Sequence, residues 1–222
     1  MQKIFLSILI ILHFQIIAAQ VLVSQEPRHH PVFENEQVRI LNVILPPGDT
    51  TLYHIHNTPS VFIPFTKTLT GSQKLDESPG ESTSTAGAVW FENLSPPAIK
   101  IHRVWNLDTS DFHVIDVELL QSGAGKPGRA IRKNKLSIVI DTPWVRVYKL
   151  HLQKQELFES ENLGSNYLLV GLQESNVKFT GNKSNGDLHI QPGWFQWIKK
   201  GEFFSLSNAT DESLELILME LP

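Results

Sequence analysis

The sequence predicts an all-β protein built as two tandem repeats of one sandwich or barrel. Apolar residues recur at strand period, and no stretch sustains a capped 3.6-residue stripe, a turn or two near 155–162 excepted. Gly, Pro, Asn and Ser clusters break these runs into short segments, the pattern of a sandwich or barrel. The chain also repeats itself: Val38-Arg39-Ile40 returns as Val145-Arg146-Val147, and at the same offset of 107 Val61-Phe62-Ile63 falls on Leu168-Leu169-Val170. Gly87 is matched with Gly186, and Asn106 with Asn208.

The strands follow in order. Val38 to Leu45 is β-branched and ends at Pro46-Pro47-Gly48, a strong turn signal. Further runs lie at 60–65, 99–105, 112–120 and 136–140, and then at 145–152, 167–172, 188–190 and 214–218. The polar segment 66–87, with Gly71, Ser78-Pro79-Gly80 and Ser82-Thr83-Ser84-Thr85, is expected to loop over one end of the first repeat.

Residues 1–19 differ in kind from the rest. Lys3 precedes an apolar run from Ile4, and Ala18-Ala19 before Gln20 fits signal-peptidase cleavage. The run is shorter than the roughly 20 residues of a membrane helix. The expectation is a cleaved signal peptide, a periplasmic or extracellular protein, and no membrane partner after cleavage. With no cysteine, disulfides, thiolate metal sites and a cysteine nucleophile are excluded. Beyond Lys3 the chain carries 18 basic against 23 acidic residues, which argues against nucleic acid or an anionic membrane as partner. The basic stretch 126–135 reads as a solvated linker. The expected organisation is a signal peptide at 1–19, a first domain at 20–125, the linker at 126–135 and a second domain at 136–222.

Chemistry concentrates in the first repeat. His54-Ile55-His56 places two imidazoles on one face of a strand, since residues i and i+2 project together. Neutral imidazole suits Zn, Fe, Ni or Cu, and a third ligand should arrive from a later strand folded back on the first. His102, in Ile101-His102-Arg103-Val104-Trp105-Asn106, is that candidate.

Through Gly48…His54-x-His56 and Pro97-x4-His102-x3-Asn106 the chain resembles the cupin superfamily, and its duplication resembles bicupins. The motifs are confined to 48–106, while the architectural resemblance spans nearly the whole chain beyond residue 19. It implies two tandem double-stranded β-helix (cupin/jelly-roll) domains, the first holding one divalent transition metal (Fe, Mn, Ni, Cu or Zn) through His54, His56 and His102. The glutamate ligand usual in cupins would fall at Ser60 or Val61, neither of which can replace it. The second-motif glycine is Ile99, and the glycine closing the first motif arrives late, at Gly71.

In the second repeat His54 falls on Glu161 and His56 on Leu163, with Gln196 or Trp197 where a histidine would be needed. That domain is expected to be structural, or to bind through Trp194 and Trp197 without metal. His29-His30 is expected to be an exposed pair in a Pro-bounded arm rather than an addition to the site. His113 is expected in the core, with His151 and His189 incidental. Arg39, Tyr53, Trp90 and Trp105 are expected to serve packing rather than to line the barrel.

Two functions stay open. One is a metal-dependent enzyme of dioxygenase, isomerase or lyase type on a small polar molecule, although Asp49 and Glu92, the only acids in the motifs, make no convincing general base. The other is a non-catalytic module binding a small ligand or metal. An open cavity beside the three histidines separates them. A homodimer is expected by fold analogy only.

Overall fold

The computed structural model describes residues 20–121, 127–128, 130–160, 163–181 and 185–222. The expected signal peptide therefore lies outside the described residues, as does part of the linker. Strands dominate, and the described residues hold one short 3-10 turn, Val23–Gln25, and no α-helix.

The first half carries β1 (Val21–Leu22), β2 (His29–Glu34), β3 (Val38–Leu45), β4 (His54–His56), β5 (Ser60–Pro64), β6 (Leu69–Lys74), β7 (Gly80–Thr83), β8 (Trp90–Glu92), β9 (Lys100–Asn106) and β10 (Phe112–Leu119). The second carries β11 (Leu136–Asp141), β12 (Arg146–Leu152), β13 (Leu157–Glu159), β14 (Asn166–Gly171), β15 (Ser175–Gly181), β16 (Asn185–Ile190), β17 (Phe195–Ile198), β18 (Phe204–Asn208) and β19 (Leu214–Leu221). Every predicted strand is present. The predicted loop over 66–87 is instead the hairpin β6–β7, with Thr70 facing Ser82. Its side chains are polar because β7 is an exposed edge and β6 faces a chamber rather than a packed core. The suspected helical turn near 155–162 holds β13.

Each half forms two facing sheets. The first pairs β1-β4-β9-β6-β7 with β2-β3-β10-β5-β8, and the second pairs β13-β18-β15-β16 with β11-β12-β19-β14-β17. The order is the same in both halves, β1 being the one extra strand. The duplication thus holds at the level of sheet order and register. Asn106 faces Thr70 as Asn208 faces Val177. Each amide donates back to a strand-end carbonyl, Leu45 or Leu152, and accepts from the backbone two residues on. Arg39 bridges Glu34 and Glu118, and Arg146 bridges Asp141 and Glu220. The register corrects one match: Gly87, φ +72°, corresponds to Gly193, φ +85°, rather than to Gly186.

The two halves meet back to back. Val38, Ile40, Val61, Ile63, Ile115 and Val117 on the outer face of one sheet pack into a single cluster with Val145, Val147, Leu168, Val170, Ile217 and Met219. This second buried face explains why β3, β5 and β10 read as nearly continuous apolar runs. Inside the second barrel Phe158, Phe179, Phe204, Leu216 and Leu218 fill the space between the sheets. The first barrel has only a small apolar cluster around Val43, Leu45 and Val114, so its interior is left open.

Candidate metal centre

Strand alternation turns both His54 and His56 into the first barrel, where they are 1% and 3% exposed. Antiparallel pairing sets His102 of β9 directly across from His54. His102 Nε2 comes to 3.1 Å from His56 Nε2, and its ring lies 4.6 Å from that of His54. The three predicted rings are therefore neighbours, but the nitrogens close enough together to share one ion belong to His29, His54 and His56 and do not include those of His102.

A fourth histidine joins them. His29 opens β2 and is buried, its ring 4.5 Å from His54 and 6.3 Å from His56. One ring nitrogen from each of His29, His54 and His56 lies within 4.8 Å of the others. The expectation of an exposed pair holds for His30 but not for His29. Period two puts adjacent strand residues on opposite faces; that His29 is the buried one depends on how β2 pairs with β3.

A buried carboxylate orients two of these rings. Glu26, 2% exposed, accepts from His29 Nδ1 at 2.6 Å and from the backbone amides of Leu52 and Arg28. Burial opposes its charge, but these hydrogen bonds outweigh burial and hold its carboxyl below the usual value. Leu52 in turn accepts from His54 Nδ1 at 2.9 Å. A carbonyl only accepts, so His54 carries its proton on Nδ1 and presents a bare Nε2, which is buried without a partner. Burial holds His54 and His56 down to about 3 and His102 lower still, so all three are neutral at physiological pH, the form in which imidazole binds metal.

Asp116 escaped the sequence reading because it sits inside the apolar run of β10, far in sequence from either motif. It is 1% exposed, its Oδ2 is 3.4 Å from His56 Nδ1, and the Ser60 hydroxyl is the side chain near enough to favour its charged form. Burial pushes its carboxyl up to about 7. The signal available in sequence was a lone acid at an inward position of a strand buried on both faces.

A chamber of about 470 Å³ opens onto His29, His56, His102 and Asp116. Phe62 and Trp90, stacked with centroids 5.3 Å apart, form one wall, and Thr70, Ser72 and the Ser82–Thr85 hydroxyls form another. Trp90 thus lines the chamber, against the expectation of packing. Tyr53 and Trp105 hold Arg103 between them, at 5.2 and 5.4 Å. Glu92 also lines the chamber, tied to Lys100 and to the Trp90 indole. Asp49 is engaged elsewhere, with Arg28. His113 is half-buried and bonded to Asn42, while His151 and His189 are exposed on surface carboxylates. Ser60 is buried on β5 and Val61 faces the second barrel, so neither supplies the missing glutamate.

Register identifies what the second barrel lost. Phe204 stands at the position of His102, correcting the expectation of Gln196 or Trp197, and Leu218 stands at that of Asp116. Ser160, paired with Phe204, replaces His54, since the repeat loses one residue before β13. Trp194 and Trp197 pack half-buried against the two apolar clusters.

No protein-family model matches the chain, and no curated protein matches it. Solved structures do. AerE from Microcystis aeruginosa is 10% identical, with TM-score 0.60, over 89% of this chain and 98% of its own. A cupin 2 conserved barrel domain protein from Leptotrichia buccalis is 9% identical, with TM-score 0.56, over 90% of each chain. Salicylate 1,2-dioxygenase from Pseudoaminobacter salicylatoxidans is 9% identical, with TM-score 0.58, over 85% of this chain and 70% of its own. The fold is therefore that of double-barrelled cupin proteins, with a histidine cluster inside the first barrel. At these identities the likeness is one of fold, and the activities named belong to those proteins.

Proposed function

We propose that this chain is an exported bicupin whose first barrel holds one divalent transition metal through His54, His56 and His102, and that it acts there as a metal-dependent enzyme on a small polar molecule. Residues 1–19 would be the cleaved signal peptide, leaving a periplasmic or extracellular protein with domains at 20–125 and 136–222 joined by 126–135. The observation that carries the catalytic reading is the chamber: it opens onto His56 and His102, and its large side chains stand along the walls instead of filling it. A core that served only stability would be filled, as the second barrel is.

Such a metal would act as a Lewis acid or bind a small oxidant or carbonyl beside the chamber. The chain's own residues would do the rest. Phe62 and Trp90 offer a flat apolar wall, and the facing hydroxyls offer hydrogen bonds that orient a polar ligand. Of the carboxyls on the chamber wall, Glu92 is committed to Lys100, which leaves Asp116 as the group placed to hold or release a proton.

The test is elemental analysis of the tag-free mature protein and of His54→Ala/His56→Ala. About one equivalent of metal in the wild type and none in the double variant is the expected outcome. A wild type that takes up no Fe, Ni, Mn, Cu or Zn would refute the metalloenzyme and leave a metal-free binding module.

A further inference from the structure

From the positions of His29 and Glu26 we infer that His29 is a fourth metal ligand, held by Glu26, and that the centre is therefore all-nitrogen and selects nitrogen-preferring metals over manganese. The inference rests on the metal-site reading above and names a ligand and a selectivity that reading does not contain.

Three observations converge on it. His29 is buried among the other imidazoles, with one nitrogen within 4.8 Å of a nitrogen of both His54 and His56. Its Nδ1 is taken up by Glu26 at 2.6 Å, which leaves Nε2 as the nitrogen available to a metal. A carboxylate behind a metal-bound imidazole fixes ring and tautomer in this way. The same carboxylate holds the Leu52 amide, whose carbonyl fixes His54, so one buried acid sets two rings in the metal-binding tautomer. A buried glutamate that only filled space would not be used so economically; as an ion it carries a desolvation cost that these bonds must offset.

Among the described residues, the element that delivers Glu26 is peculiar to the first barrel, while His29 opens β2, the counterpart of β11. β1 is the one strand with no counterpart in the second, and with the turn after it β1 runs parallel to β4, pairing Val21 with His54. Glu26 follows that turn directly, and His29 begins the next strand. The chain thus compensates for Ser60 and Val61, where a carboxylate would otherwise complete the set. Exchanging a hard oxygen donor for imidazole shifts preference from Mn toward Fe, Ni, Cu or Zn.

The probes are Zn(II), Co(II) and Mn(II) alone, added to the mature protein. In the Zn(II) form, long-range nitrogen NMR of the unsubstituted protein should move His29 Nε2 to the metal-bound range, together with His54 and His56. His29→Ala should still take up Co(II) but at least about ten-fold more weakly and with altered visible bands. Glu26→Ala should weaken it by about 10- to 100-fold. His29→Glu should raise Mn(II) affinity relative to Zn(II) at least about ten-fold over the wild type. An unmoved His29 resonance, or a His29→Ala variant with wild-type affinity and Co(II) spectrum, would overturn the assignment. An unchanged Mn(II)-to-Zn(II) ratio in His29→Glu would overturn the selectivity. If His54→Ala/His56→Ala binds as well as wild type, or the wild type binds nothing, the underlying metal-site reading fails instead.

Discussion

His54, His56 and His102 are neutral because they are buried together, and that neutrality has a cost in acid. Their folded values lie well below the ordinary 6.5, so below pH 6.5 the unfolded chain takes up protons that the fold refuses. The stability they contribute is complete above pH 6.5 and is lost as pH falls toward 3. Asp116, raised by burial from 3.8 to about 7, acts in the opposite sense, its protonation favouring the fold as pH falls from 7 toward 4, and Glu118, also raised by burial, acts in the same direction. The buried histidines, His113 among them, outnumber the raised carboxyls. The metal-free protein should therefore lose stability as pH falls from 6.5 toward 4, and more steeply below 4, where the Asp116 contribution ends. Urea denaturation at a series of pH values measures this. His54→Ala/His56→Ala should abolish or reverse the slope, and an unchanged slope would show that the histidines are not its source.

At the scale of the element, β3, β5 and β10 each serve two interiors. On β5, Val61 and Ile63 point to the second barrel while Ser60 and Phe62 point into the first; on β10, Ile115 and Val117 do the former and Val114 and Asp116 the latter. The outward set is the better packed. Ile63→Ala, at a fully buried position between the barrels, should cost about 2–5 kcal/mol in denaturant unfolding while leaving metal content unchanged. A loss of metal with that substitution would mean that the interface also sets the geometry of the site.

At the scale of the molecule, the two barrels share one apolar cluster across their facing sheets, and Gln37 of the first bonds the backbone of Pro222 at the end of the second. Neither outer face would be tolerated in water alone. The metal-free protein should therefore unfold in a single calorimetric transition with equal calorimetric and van't Hoff enthalpies. Two resolved transitions would mean that the barrels are energetically separate. The filled second barrel then acts as the rigid backing of the open one, which by itself has few core contacts to hold its strands.

Local chemistry was legible in the sequence: the strands at 38–45 and 112–119, the same-face pair His54 and His56, their partner His102, and the duplication from Val38-Arg39-Ile40 and Val145-Arg146-Val147. Each depends on a short-range rule, period two or a fixed offset, that survives without knowing what lies opposite. What the tertiary structure alone decided depends on pairing between distant strands. It turned His29 inward and His30 outward, set Asp116 beside His56, made a hairpin of a polar segment that borders a chamber, and replaced the expected Gln196 or Trp197 with Phe204. In each case the residue's role follows from register and from whether the space it faces is filled, and both are properties of the assembled sheets rather than of any stretch of chain.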